Sequence, residues 1–62
     1  NKINLVVQIN GKKRSLINTK KDIDEESLIE IIKKDQKILK FINGDIIKVI
    51  FIKNRLINLI IK

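Results

Sequence analysis

The sequence predicts a small single α+β domain in which two β-hairpins flank a helical segment, in the order β-β-α-β-β. Three observations carry that expectation. Near the start, a run rich in Ile, Leu and Val leads into Asn10-Gly11, whose residues both tolerate positive φ. In the middle, Leu28, Ile31, Ile32, Ile38, Leu39 and Ile42 recur at helical spacing behind the acidic residues Asp24, Glu25 and Glu26. At the end, two apolar runs of strand length are separated by Lys53-Asn54.

The first strand is expected over residues 3 to 9, with Ile3, Leu5 and Val7 on one face, and the second from Lys12 to about Thr19. A two-residue loop would pair Val7 with Arg14 and mix cations into the apolar face. A three-residue loop with a bulge at Gly11 pairs Val7 with Lys13, Leu5 with Ser15 and Ile3 with Ile17. That register is preferred because it collects Asn4, Gln8, Lys12 and Arg14 on the wet face.

Lys20-Lys21-Asp22 then reads as a polar connection and Asp24 as a helix N-cap, with Ile23 and Leu28 as a hydrophobic staple. Asp35 interrupts the apolar stripe, so a break or kink is expected between Lys34 and Gln36, and Asn43-Gly44 reads as the stop. The segment, about 18 residues long, is the one element able to cross a four-stranded sheet. Strands follow from Asp45 to Lys53 and from Arg55 to Lys62. One face is expected to hold Ile47, Val49, Phe51, Leu56 and Ile60 with Asn58 among them; the other holds Ile50, Ile57 and Leu59 beside Lys48. This is more apolar sheet than one helix covers, so the other hairpin or a partner must cover the rest.

Composition excludes most chemistry. The chain has 62 residues and no Cys, His, Met, Trp, Tyr or Pro. A disulfide framework, a zinc site, a thiol nucleophile and an imidazole base are all ruled out, and no cofactor is expected in this fragment. Both glycines, Gly11 and Gly44, stand alone, so no phosphate loop is present. The acidic group Asp22, Asp24, Glu25 and Glu26 fits helix capping better than cation binding. The chain is expected to be non-catalytic. Its longest apolar run, Val49 to Ile52, is too short to span a membrane, and no signal-peptide pattern opens it. With no initiator Met, it is expected to be a piece of a longer chain.

Fourteen Lys and Arg against seven Asp and Glu give a net charge of +7, a field that attracts polyanions. A competing explanation stands beside this one. Ile, Lys and Asn together make 35 of the 62 residues, a bias that an A/T-rich genome produces without selection for binding. Phe41 and Phe51 fit the core pattern better than a base-stacking role, which leaves a surface that reads phosphate position and shape. Its candidates are Lys12, Lys13, Arg14, Lys48, Lys53 and Arg55, near the two hairpins.

Val6-Val7-Gln8-Ile9-Asn10-Gly11-Lys12-Lys13-Arg14 resembles the Val-Val-Gln-Val-Asn-Gly-Lys-x-Arg segment of bacterial leucyl-tRNA synthetases. Lys48 to Ile61 is similar to that family's final Lys-Val-Ile-Tyr-Val-Pro-Gly-Lys-Leu-Leu-Asn-Leu-Val-Val, and Glu25-Glu26 and Lys40-Phe41-Ile42-Asn43-Gly44 fall where the family has Glu-Glu and Lys-Tyr-Leu-x-Gly. The likeness runs in order over essentially the whole chain. It departs where the family's Pro-Gly turn is Lys53-Asn54, its Tyr is Phe51, and a basic residue before Lys48 is Ile47.

The resemblance implies that residues 1–62 form the C-terminal tRNA-binding domain of a leucyl-tRNA synthetase. Such a domain is tethered to the rest of the synthetase chain and contacts the tRNA outer corner, where the D and T loops meet. The parent would be an ATP-dependent, cytoplasmic leucine–tRNA ligase, and the fragment a monomeric module specific for leucine tRNA. Lys12 and Arg14 are the expected contacts to phosphate or ribose, then Lys48 and Arg55, with Gln8, Lys13 and Lys53 in support; Asn10 is expected to serve the turn. The alternative is a protein-interaction module whose charge reflects genome composition.

Overall fold

The computed structural model describes residues 1–62 as β1 Lys2–Ile9, β2 Lys12–Lys20, α1 Glu25–Lys34, α2 Gln36–Leu39, β3 Ile46–Ile52 and β4 Leu56–Ile61. The expected β-β-α-β-β order is present, with the helical segment in two pieces. One four-stranded sheet has the order β2-β1-β4-β3. Its two hairpins join through their first and last strands, which run parallel, Val6 beside Leu56 and Ile9 beside Leu59.

The first hairpin takes neither of the two registers weighed from the sequence. Asn10 and Gly11 adopt φ of 51° and 82°, a two-residue loop whose twist suits the flanking strands, and Ile9 faces Lys12. The bulge lies beyond the turn, between Gln8–Lys13 and Val7–Ser15, and leaves Arg14 as the extra residue. Past it, Val7 meets Ser15, Leu5 meets Ile17 and Ile3 meets Thr19. Moving the bulge from Gly11 to Arg14, two pairs beyond the turn, gives the favoured turn and a clean core face together. The cations change sides as a result. Lys13, opposite Gln8, takes the open face, whereas Lys12, opposite buried Ile9, and Arg14 do not join Asn4 and Gln8 there.

The second hairpin also needs correction. Ile52 pairs with Leu56 across a three-residue loop, Lys53, Asn54 and Arg55, with Asn54 at φ 64° and the Arg55 N–H donating to the Ile52 carbonyl. One residue more in the loop than the sequence suggested moves every β4 side chain to the other face. Val49 and Phe51 therefore share a face with Ile57 and Leu59, and Lys48, Ile50 and Ile52 share the other with Leu56, Asn58 and Ile60. Ile47 lies in a second bulge and is more than half exposed.

The core forms between the first of these faces and the helices. Leu5, Val7, Ile9, Ile17, Ile57 and Leu59 meet Ile23, Leu28, Ile32 and Ile38, all buried, with Phe41 and Phe51 packed at the margin. The break between the helices falls at Asp35, as expected, in extended backbone; its side chain accepts from the Lys37 N–H at 2.9 Å and so caps α2. Asp24 has the extended backbone of an N-cap but makes no capping hydrogen bond through its side chain. Gly44 does not stop the helix through a left-handed residue. A Cβ there would lie 2.5 Å from the Lys62 carbonyl oxygen, so close approach to the chain after β4 demands glycine.

Candidate nucleic-acid interface

Because β1 and β4 are parallel, the two hairpin loops lie at opposite ends of the sheet. Each loop is tied to the other hairpin. At the Asn10-Gly11 end, Gly11 N–H donates to Asn58 Oδ1 (3.0 Å), Ile61 N–H to Asn10 Oδ1 (2.8 Å), and Asn10 N–H to the Leu59 carbonyl (2.9 Å). At the far end, Asp22 and Asn54, both at positive φ, exchange two hydrogen bonds of 2.7 Å, Asp22 N–H to Asn54 Oδ1 and Asn54 Nδ2 to Asp22 Oδ1. The Asn54 amide, helped by Lys21 and Lys53, holds the Asp22 carboxyl below its ordinary pKa; the Ser27 side chain does most to lower that of Asp24.

The helices leave the second sheet face open, and the register orders its side chains into rows. One row, Leu16–Val6–Leu56–Ile52, crosses all four strands and is apolar throughout. The next, Lys13–Gln8–Asn58–Ile50, is mostly polar, and Lys48 lies one row further, opposite Ile60. Lys13 and Lys48 thus stand on the two edge strands, roughly 14 Å apart across the sheet, with the Gln8 and Asn58 amides between them. Lys53 and Arg55 belong to the loop at the other end. Arg14 lies on the helical side, its guanidinium carbon 4.8 Å from the centre of the Phe41 ring, where Lys40 Nζ also stands at 5.3 Å. The seven candidate residues therefore divide into the open-face group Gln8, Lys13 and Lys48, the helical-side pair Lys12 and Arg14, and the distant pair Lys53 and Arg55.

The placement of the acids is a stronger signal in the sequence than the count of cations. All seven carboxylates lie between Asp22 and Asp45, the connection carrying the helices. Residues 1–20 and 46–62, which hold all four strands, have nine cations and no acid. Asp and Glu codons are also A/T-containing, so genome bias accounts for abundant Lys but not for this segregation. The strands consequently present cations, amides and apolar groups and no carboxylate; at the Asn10-Gly11 end the carboxylate of Asp45, just before β3, stands by the end of β4, where its backbone pairs with Lys62. No set of acidic side chains stands close enough together to hold a metal ion.

Fold and surface together define a small α+β module with an uncovered, cationic, acid-free sheet. No family model matches the chain. It is 46% identical over 59 residues to the leucine–tRNA ligase of Borrelia duttonii, 38% over 61 residues to that of Thermosipho melanesiensis, and 43% over 61 residues to that of Buchnera aphidicola. These alignments cover 94% to 97% of this chain and 7% of each ligase. A LeuRS–tRNA–LeuAMS ternary complex from Agrobacterium radiobacter K84 superposes on 98% of the chain with a TM-score of 0.88 and 26% identity, over 8% of that protein. The chain is a homologue of one short segment of leucine–tRNA ligases.

Proposed function

We propose that the chain is the C-terminal tRNA-binding appendage of a cytoplasmic leucine–tRNA ligase, itself without catalytic residues, which holds the outer corner of leucine tRNA and so aids ATP-dependent leucine attachment by the rest of the synthetase. The observation that carries this reading is the acid-free cationic sheet on a fold shared with a synthetase of known structure in complex with tRNA. Lys13, Lys48 and Gln8 serve as one contact group on the open face, and Lys12 and Arg14 approach from the helical side. Lys53 and Arg55, at the other end, contact RNA only where it extends along the sheet. Such a surface reads backbone and shape. A tether to the synthetase raises its effective concentration, so weak affinity suffices and the module works as a monomer.

Titrating the isotopically labelled chain with a leucine tRNA transcript at two salt concentrations tests this. Salt-sensitive amide shifts are expected from Gln8 to Arg14 and at Lys48. Lys13→Ala combined with Lys48→Ala is expected to weaken binding and flatten the dependence of log K on log salt by about 1.5. The row Leu16–Val6–Leu56–Ile52 favours a second reading, docking on a protein surface such as the synthetase body. Salt-insensitive binding, or no RNA response at low salt, decides for that reading.

A further inference from the structure

Arg14 and Lys40 come from elements 26 positions apart, the bulge of β2 and the residue after α2, yet both settle on one aromatic ring. Their distances to its centre, 4.8 and 5.3 Å, put the two charged groups within about 10 Å of each other. Like charges gathered so closely repel, and the strands around them hold no carboxylate to offset this. Of the carboxylates nearest Lys40 in the chain, Asp35 is engaged in capping α2. Asp45 pairs with Lys62 through its backbone, and its carboxylate forms no ion pair with Lys40 or Arg14. Phe41 packs against the core, so the ring is a fixed platform that restricts the long side chains before any ligand arrives.

We propose that Arg14 and Lys40, held on the Phe41 ring, form a phosphate-binding pair whose ligand is the RNA backbone. This rests on the RNA reading and extends its site around the edge of the sheet. Lys13 directs its cation to the open face and Arg14, the next residue, to the helical side. A sugar–phosphate strand passing the β2 edge near Asn10-Gly11 meets Lys13 on one side and the Arg14–Lys40 pair on the other. Alternation along β2 sends these consecutive side chains to opposite faces, and the bulge leaves Arg14 as the residue without a partner on β1. A guanidinium held against a ring keeps its N–H groups available to phosphate oxygens, and Arg14 lies 4.8 Å from the Phe41 ring centre.

The test uses the labelled chain, inorganic pyrophosphate and a leucine tRNA transcript. Pyrophosphate at low salt is expected to shift the Arg14 Nε–H signal and the Lys40 resonances together in the wild type. Phe41→Leu, which keeps an apolar group against the core, is expected to abolish most of the response at both residues while leaving distant amides unchanged. Lys40→Ala is expected to weaken tRNA binding about threefold to tenfold and lower the salt slope by about 0.7 to 0.9. An Arg14 signal indifferent to pyrophosphate overturns the pair. So does tRNA affinity unchanged by Lys40→Ala when Lys13→Ala with Lys48→Ala does weaken it, and in that case the open-face reading survives. If pyrophosphate shifts both residues but the wild type binds no tRNA, the anion site stands, while RNA as its ligand and the tRNA-binding function both fall.

Discussion

The carboxylate of Asp22 accepts a hydrogen bond from Asn54 across 32 positions of chain, and with it the connection leaving β2 is fastened to the β3–β4 loop. Both residues occupy the left-handed region, which Asp and Asn tolerate better than most side chains. Because folding lowers the pKa of Asp22 and of Asp24, their contribution to stability is complete above the unfolded value of about 3.9 and is lost as pH falls through the lower folded values. The melting temperature is therefore expected to drop on acidification below about pH 4. Asp22→Asn keeps an acceptor for Asn54 but cannot titrate, so its acid limb should be shallower in thermal melts at stepped pH. An unchanged acid limb would show that Asp22 is not among the groups responsible.

Among the elements, loop length decides more than strand composition. The Asn10-Gly11 turn could be recognised from residue type, and its φ values are those the pair favours. The position of its bulge could not, since moving the irregularity from Gly11 to Arg14 leaves the same residues in the strands while changing which cations share a face. The Lys53-Asn54-Arg55 loop repeats the lesson: a single added residue exchanged the two faces of β4. Gly44 belongs to the same scale. Its requirement comes from the chain end beyond β4, 18 positions away, and not from the helix it follows. Gly44→Ala is expected to destabilise the domain by about 1 to 3 kcal/mol in urea unfolding, because the Cβ must displace backbone. A neutral result would mean that the chain after β4 shifts freely.

For the whole molecule, burial is divided sharply between the two sheet faces. Ile57 is fully buried, while Ile50 on the neighbouring strand is 40% exposed on the open face. Ile57→Ala is expected to cost about 2 to 5 kcal/mol, comparable to the entire stability of so small a domain. Ile50→Thr should change stability by no more than about 0.5 kcal/mol. Circular dichroism melts of the two variants measure the contrast, and a large loss at Ile50 would mean that the open face is covered in solution. The apolar row on that face and the cations beside it make one surface, so stability and binding can be altered independently from its two sides.

The sequence by itself determined the element types, the break at Asp35, the turn at Asn10-Gly11, the relation to leucine–tRNA ligases and the absence of acids from the strands. These depend on local preference, on alternation and on residue identity, all of which are written along the chain. Only the tertiary structure decided how the candidate residues divide. The parallel pairing of β1 with β4 sent the two hairpin loops to opposite ends and so parted Lys53 and Arg55 from Lys13 and Lys48. The pairing of β2 with β1 put Arg14 on the helical side, where it meets Phe41 and Lys40. Both outcomes follow from strand pairing, where sequence neighbours become distant and distant residues meet, and where one residue more or less reverses the face that a side chain occupies.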